Sequence, residues 1–245
     1  MKIAANGAIR GLVGNLVARK IGNQQILQSR PRKAKQTVAT KKASIDFGQA
    51  SNAGGFVRSA LSDTHLNLYD SHMVGRLNGQ ILRAMRANPD QIPGKMCLQH
   101  GKLNRLANFQ FNEKSNTQDY LNFDIELSLH ENSLLTIDIP KFKKDRDITF
   151  LDAAGKMIVV INAMAIDFVK AEYHIVSYTE IEINCAQLEG WREAEQIEVD
   201  CTPVMGCVIF VGLSVLYFNN SRGRDILINS KALHPASIVG AFNIA

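Results

Sequence analysis

Asp63, His65, Asp70 and His72 have the residue types and close spacing from which a metal site could be built. Two imidazoles seven residues apart can share one face of a helix, and carboxylates beside them would complete a divalent-ion site. The same residues also fit a turn between two helices, where Asp70 or Ser71 accepts a backbone N–H at the start of the second. The capped turn is the reading adopted. Glu180 and Glu182, with Glu198 and Asp200, are carboxylates of the kind acid–base catalysis uses. They recur at every second residue with no His or nucleophile beside them, so they mark the solvent faces of strands. The sequence has no G-x-S-x-G, no P-loop and no H-E-x-x-H. The glycines from Gly7 to Gly14 lack the G-x-G and the preceding strand of a dinucleotide loop. No catalytic, cofactor-binding or metal-ligating residue is assigned, and the chain is read as a non-enzyme. A hydrolase on a β-sandwich scaffold stays as a third class, because one fold hosts many functions.

Cys97, Cys185, Cys201 and Cys207 form no C-x-x-C pair. Cys185 and Cys201 fall on apolar alternations and are expected inside, as small hydrophobes. The single tryptophan, Trp191, stands among charges after Gly190 and reads as a loop residue lying over the sandwich.

Charge is divided sharply along the chain. Ten of its 28 Lys and Arg lie in residues 1–45, which contain no Asp or Glu; the other eighteen face all 23 acidic residues. The net charge of +5 is thus a strongly basic arm on an acidic body. The stretch SRPRKAKQTVATKK holds Arg30, Arg32, Lys33, Lys35, Lys41 and Lys42, six cations in fourteen residues. Such an arm docks on something negative, either nucleic acid or the acidic body of another copy. It has no aromatic residue before Phe47 on which a base would stack.

Residues 1–36 are too rich in Ile, Leu and Val for a disordered tail and too rich in Gly to fold alone. Ile9, Leu12, Val13, Leu16, Val17, Ile21, Ile26 and Leu27 are therefore assigned to a subunit interface. NLVARKI and QQILQSR alternate roughly and are expected to pair as strands about Gly22-Asn23. Residues 37–103 read as helical. Thr37 caps a first helix with an apolar face of Val38, Ile45, Ala50, Ala53, Val57, Ala60 and Leu61. Gly48, Gly54 and Gly55 within it suggest close packing against another backbone. A second helix runs from about Ser71 to Ala87, with Met73, Val74, Leu77, Ile81, Leu82 and Met85 inward and Arg76, Arg83 and Arg86 outward. From residue 104 to 245 the period becomes two. Eight or nine strands, separated by turn signals such as Asn132-Ser133 and Ser221-Arg222-Gly223, predict an antiparallel β-sandwich. The fold class is mainly β (α+β), an antiparallel β-sandwich preceded by a short helical region (37–103) and an extended basic N-terminal arm (1–36).

Two segments carry a resemblance. GAIRGLVGNLVARKIGNQQILQSRPRKAKQTVATKKASIDFGQASNAGGFVRSAL, with Gly11, Gly14 and Asn15 followed by Arg-x-Pro-like basic residues and then a helix carrying Gln or Arg and Phe, is similar to the start of a family of bacterial and phage proteins of unknown function. GCVIFVGLSVLYFNNSRGRDILINSKALHPASIVGAF resembles the closing hairpin of the same family. The resemblance implies an Ig-like sandwich and a structural role, and brings no catalytic residue.

The expected function is a structural protein, a self-assembling homo-oligomer subunit of a virion, phage-tail-like or tubular filament assembly, joined through its N-terminal arm. The alternative is nucleic-acid binding or packaging by the same arm. No cofactor is expected. No apolar run approaches the ~18–20 residues of a transmembrane helix, and the first 25 residues lack a compact apolar h-region. The chain is thus expected to be made in the cytoplasm without a classical signal peptide, its final place being a virion or extracellular assembly.

Overall fold

A computed structural model describes residues 2–3, 9–21, 24–30, 35–187 and 189–244. The chain divides into two compact units, residues 1–40 and 41–245.

The first unit is an antiparallel sheet of β1 (Lys2–Ile3), β2 (Ile9–Val13), β3 (Leu16–Ile21) and β4 (Gln24–Ser29), in that order. Val13 pairs with Leu16 across a two-residue loop. Gly14 stands at φ 59° in that loop, as a tight hairpin turn requires of its first residue. β3 and β4 pair from Leu16↔Ser29 to Ile21↔Gln24, so the two expected strands meet as read.

Helix α1 (Val38–Ala60) begins at the end of the first unit, where Thr37 Oγ1 accepts the Thr40 N–H, and continues into the second. A short turn α2 (Ser62–His65) and helix α3 (Met73–Arg86) follow. Asp70 Oδ1 accepts the His72 N–H at 2.8 Å in the loop before α3, whose N-cap residue His72 has no side-chain cap, while Asp63 and His65 belong to α2.

The strands of this unit are β5 (Phe109–Gln110), β6 (Glu126–Leu129), β7 (Leu134–Ile139), β8 (Phe142–Lys143), β9 (Lys156–Asp167) and β10 (Glu172–Asn184). After them come β11 (Trp191–Arg192), β12 (Glu195–Asp200), β13 (Val208–Ser221), β14 (Arg224–Leu227) and β15 (Ala236–Asn243). The large sheet has the order β10-β9-β13-β15-β5, with β14 also on β13; smaller sheets are β12-β7-β6 and β11-β8. All pairings are antiparallel. The fold is mainly β (α+β) and sandwich-like.

Period-two alternation on β9 and β13 splits the core in two. Met164, Ile166, Val208 and Phe210 pack with Ala50, Val57, Leu77, Ile81 and Met85 of the helices. Val159, Ile161, Ile209 and Val211 face Leu135, Ile137, Ile139 and Val199 of the small sheet. This explains the nearly unbroken apolar run of β9, which is covered on both sides.

Five expectations are corrected, the first being Val74 of α3, expected inward and in fact exposed. Val38 and Ile45 are exposed, and α1 meets the core only from Asp46 and Ala50 onward. Of its glycines, Gly54 marks a close approach, and to a side chain: a Cβ there would stand 2.2 Å from Asn78 Oδ1. Cys185 is exposed because β10 ends at Asn184, while Cys201 and Cys207 are buried. Trp191 lies in a two-residue strand with Lys141 and Arg146 over its ring, rather than in a loop.

Candidate assembly interface

The two faces of the N-terminal sheet follow from its registers. Cross-strand partners share a face, so Gly11, Val13, Leu16, Ala18, Lys20, Gln25 and Leu27 lie on one side. Lys2, Arg10, Leu12, Val17, Arg19, Ile21, Ile26 and Gln28 lie on the other. Apolar residues thus stand on both faces. Leu12, Leu16, Ile21 and Leu27 are between 43% and 57% exposed. Ile9, Val13, Val17 and Ile26 are half-buried. Only Ala18 among the described apolar residues of this sheet is buried; about 25 cal/mol per Å² of the remaining apolar surface is gained only when something covers it.

The cations add a second demand. Lys2 is paired directly opposite Arg10 on one face, and Arg19 follows on that same face. Like charges opposite each other destabilise a sheet unless an anion lies over them. Among the described residues of this unit there is no Asp or Glu to serve. Arg30 and Lys35 are exposed, and Arg32 and Lys33 lie outside the described residues. Lys41 and Lys42 belong to the exposed start of α1, in the second unit. Of the four described cations of this stretch, Arg30 and Lys35 stand outside helices and strands and Lys41 and Lys42 stand on α1.

Among the described residues β4 is one edge of the sheet and the two-residue β1 the other. The Val13/Leu16 pair closes a two-residue turn and so exchanges hydrogen bonds. Alternation then turns Gln24, Ile26 and Gln28 toward β3, and the Arg30 N–H continues that side by donating to Asn15 O at 2.7 Å. The N–H groups of Gln25, Leu27 and Ser29 consequently point out of the edge.

A polar groove of about 810 Å³ runs along α1 and α2, lined by Ser51, Asn52, Arg58, Ser59, Ser62, His65 and Tyr69, among others. It has hydroxyls and an imidazole, yet no activated nucleophile. His65 is fully committed: Nδ1 accepts the Asn67 N–H at 3.0 Å and Nε2 donates to Arg58 O at 2.9 Å. Burial, assisted by the Arg58 cation, pushes its pKa down, so the ring is neutral at pH 7. Asp70 is committed too. Burial alone would raise its pKa, but the N–H groups of His72 and Glu113 and the Arg76 guanidinium hold it below the usual carboxylate range. Arg76, expected outward, turns back to form this clamp, donating to Gln110 O at 3.0 Å and lying 5.1 Å from the Phe109 ring. Periodicity missed it because an arginine beside an apolar stripe looks the same whether it points to water or folds over the neighbouring loop. Among the described residues no group of three or more His, Cys, Asp and Glu could hold a metal, and no helix is long and apolar enough to cross a membrane.

Comparisons of the chain with protein-family models, with curated proteins and with solved structures found no match.

Proposed function

We propose that the chain is a non-enzymatic structural protein: a self-assembling subunit of a virion, phage-tail-like or tubular filament assembly, joined to its neighbours through residues 1–36. One observation carries the reading. The N-terminal sheet has apolar side chains exposed on both faces, an open edge strand and a row of uncompensated cations. Each of these is satisfied by a partner surface: the apolar groups by burial, the edge by strand addition, the cations by carboxylates.

The second unit contains both hydrophobic clusters, so residues 41–245 have a complete core without the arm. The test compares the full chain with a chain lacking residues 1–36, by sedimentation velocity and electron microscopy. The full chain is expected to form regular particles or tubes, and the truncated chain to stay folded, soluble and monomeric. Equal assembly of the two would refute the arm as the joint.

A second reading rests on the row formed by Lys2, Arg10 and Arg19. Phosphates would neutralise it as well as carboxylates do, and the protein would then bind or package nucleic acid. The exposed Leu and Ile residues on the same sheet have no role in that reading, which is why it stands second.

A further inference from the structure

The strand that ends the large sheet is unusual for an edge. β10 is thirteen residues long and pairs only with β9. Proteins protect such edges with Lys, Pro, short length or a bulge. β10 has one of these, an irregularity between Ile175 and Ser177, and neither Lys nor Pro. Tyr173, Ile175 and Tyr178 are exposed along it, Ile175 at 62%. Its charged residues are all acidic: Glu172, Glu180 and Glu182, each exposed. Asp63 of α2 adds to the same negative field. Tyr178 records it: burial first, then the Glu180 carboxylate that accepts its hydroxyl at 2.7 Å, then Asp63, push the phenol pKa up to about 12.

The other strand ends fit an arm less well. β14 has four residues and carries Arg224. β6 has four, and β5 two. β12 has six and is acidic, but no large apolar residue on it is exposed. β10 alone among them combines length, exposed apolar side chains and charged residues that are all acidic, of which Glu182 already lies 3.6 Å from Lys156 Nζ of β9.

We infer that β10 is the receiving edge for the N-terminal sheet of a second copy of this chain, with β4 of one copy adding to β10 of the next. This rests on the reading of residues 1–36 as the joint and names the surface they join. The outward N–H groups of Gln25, Leu27 and Ser29 meet the unpaired edge of β10. Strands in a sheet lie ~4.7–4.9 Å apart, so β3 of the arm sits two spacings from β10. In the proposed contact Lys20 lies on the face that Glu180 and Glu182 share and reaches across β4 to them, while Arg19 projects from the opposite face. The six-residue β4 fits within the thirteen-residue edge with room to spare. Donor and acceptor are different surfaces, so the contact is head-to-tail. Repeated, it gives an open filament or a ring rather than a closed two-fold dimer.

Two full-length variants test this. Leu27→Pro removes an outward donor while keeping the ladder to β3, a placement edge strands tolerate. Ile175→Lys with Glu180→Lys removes an exposed apolar contact and reverses a charge on β10. Far-UV circular dichroism checks that both fold. Each alone is expected to lose assembly, because one lacks the donor and the other the acceptor. Mixed, they should form a 1:1 heterodimer that grows no further, joined by the intact β4 of the second variant and the intact β10 of the first. If the β10 variant assembles like the natural chain while Leu27→Pro does not, β10 is not the acceptor and the arm reading survives. If Leu27→Pro assembles normally, the arm reading itself fails. Carbodiimide coupling of the natural assembly gives an answer that needs no variant. Mixed isotope-labelled and unlabelled chains should yield an inter-chain amide between Lys20 and Glu180 or Glu182. Its absence from an otherwise cross-linked assembly would overturn the proposal.

Discussion

Gly212 sits on β13 where no side chain fits. A Cβ there would stand 2.4 Å from Asn162 Oδ1 and 2.6 Å from Thr64 Oγ1, two atoms already joined by a buried 2.8 Å hydrogen bond. Gly212→Ala must therefore break that bond or push α2 off the sheet. The expected cost is about 1–3 kcal/mol, read as a fall in the urea midpoint. His234 anchors the same region. It is fully buried, its Nδ1 accepting from Asn229 and its Nε2 donating to Thr64 O at 2.9 Å. Burial lowers the pKa of His234 and of His65 below 6.5. The unfolded chain binds protons near pH 6.5 that the folded chain refuses. The stability these rings lend is complete above that value and is lost as pH falls from 6.5 toward their lower folded values. Urea titrations at stepped pH should show the decline, and His234→Gln should make it shallower. Neither network was legible in the sequence, since nothing there marks a Gly, a Thr and a His far apart in the chain as neighbours.

Elements were more legible than their exposure. The period of two located β6, β7, β10 and β12 and the period of 3.6 located α1 and α3, because burying one face imposes that spacing, while β9 and β13 stood out as long apolar runs, the mark of strands covered on both faces. The turn at Arg222-Gly223 was readable for a related reason: both residues adopt positive φ, the conformation a two-residue hairpin loop demands. The first two turns of α1 were misread because Val38 and Ile45 continue the apolar stripe beyond the part the sheet covers. What anchors α1 there is Asp46, a buried carboxylate that accepts the N–H groups of Gly94 and Met96. Substitutions should separate the two halves. Ile45→Lys is expected to shift stability by no more than about 0.5 kcal/mol, as at exposed sites. Ile183→Asp, on the buried face of β10, should prevent folding by placing an unpaired charge in the core. A soluble, cooperatively unfolding Ile183→Asp protein would contradict the assigned face.

At the scale of the whole molecule, the division of charge was the most informative feature of the sequence, and the structure gives its two halves separate elements. Among the described residues, Lys2, Arg10, Arg19 and Lys20 stand on a small sheet and Lys41 and Lys42 at the start of α1; carboxylates line the exposed face of β10. Which partner the cations meet is decided by how the interaction responds to salt. Exposed charges are screened over ~8 Å at physiological ionic strength. A joint made only of ion pairs, or of phosphate contacts, would dissolve as salt rises, the latter with a slope set by the number of phosphates neutralised. A joint that also buries Leu12, Leu16, Ile21 and Leu27 keeps its apolar part, worth ~1.5–3 kcal/mol for each side chain fully covered before ordering costs. Assembly of the natural chain is thus expected to weaken from low to high salt and to level off rather than vanish, in sedimentation across a salt series. The variant with Arg30, Arg32, Lys33 and Lys35 all changed to Gln should assemble with a shallower salt dependence. Fluorescence anisotropy with labelled DNA and RNA should show little binding by the natural chain at physiological salt. Micromolar binding with a steep salt slope, lost in the Gln variant while its assembly stays normal, would transfer the basic stretch from protein contact to nucleic acid.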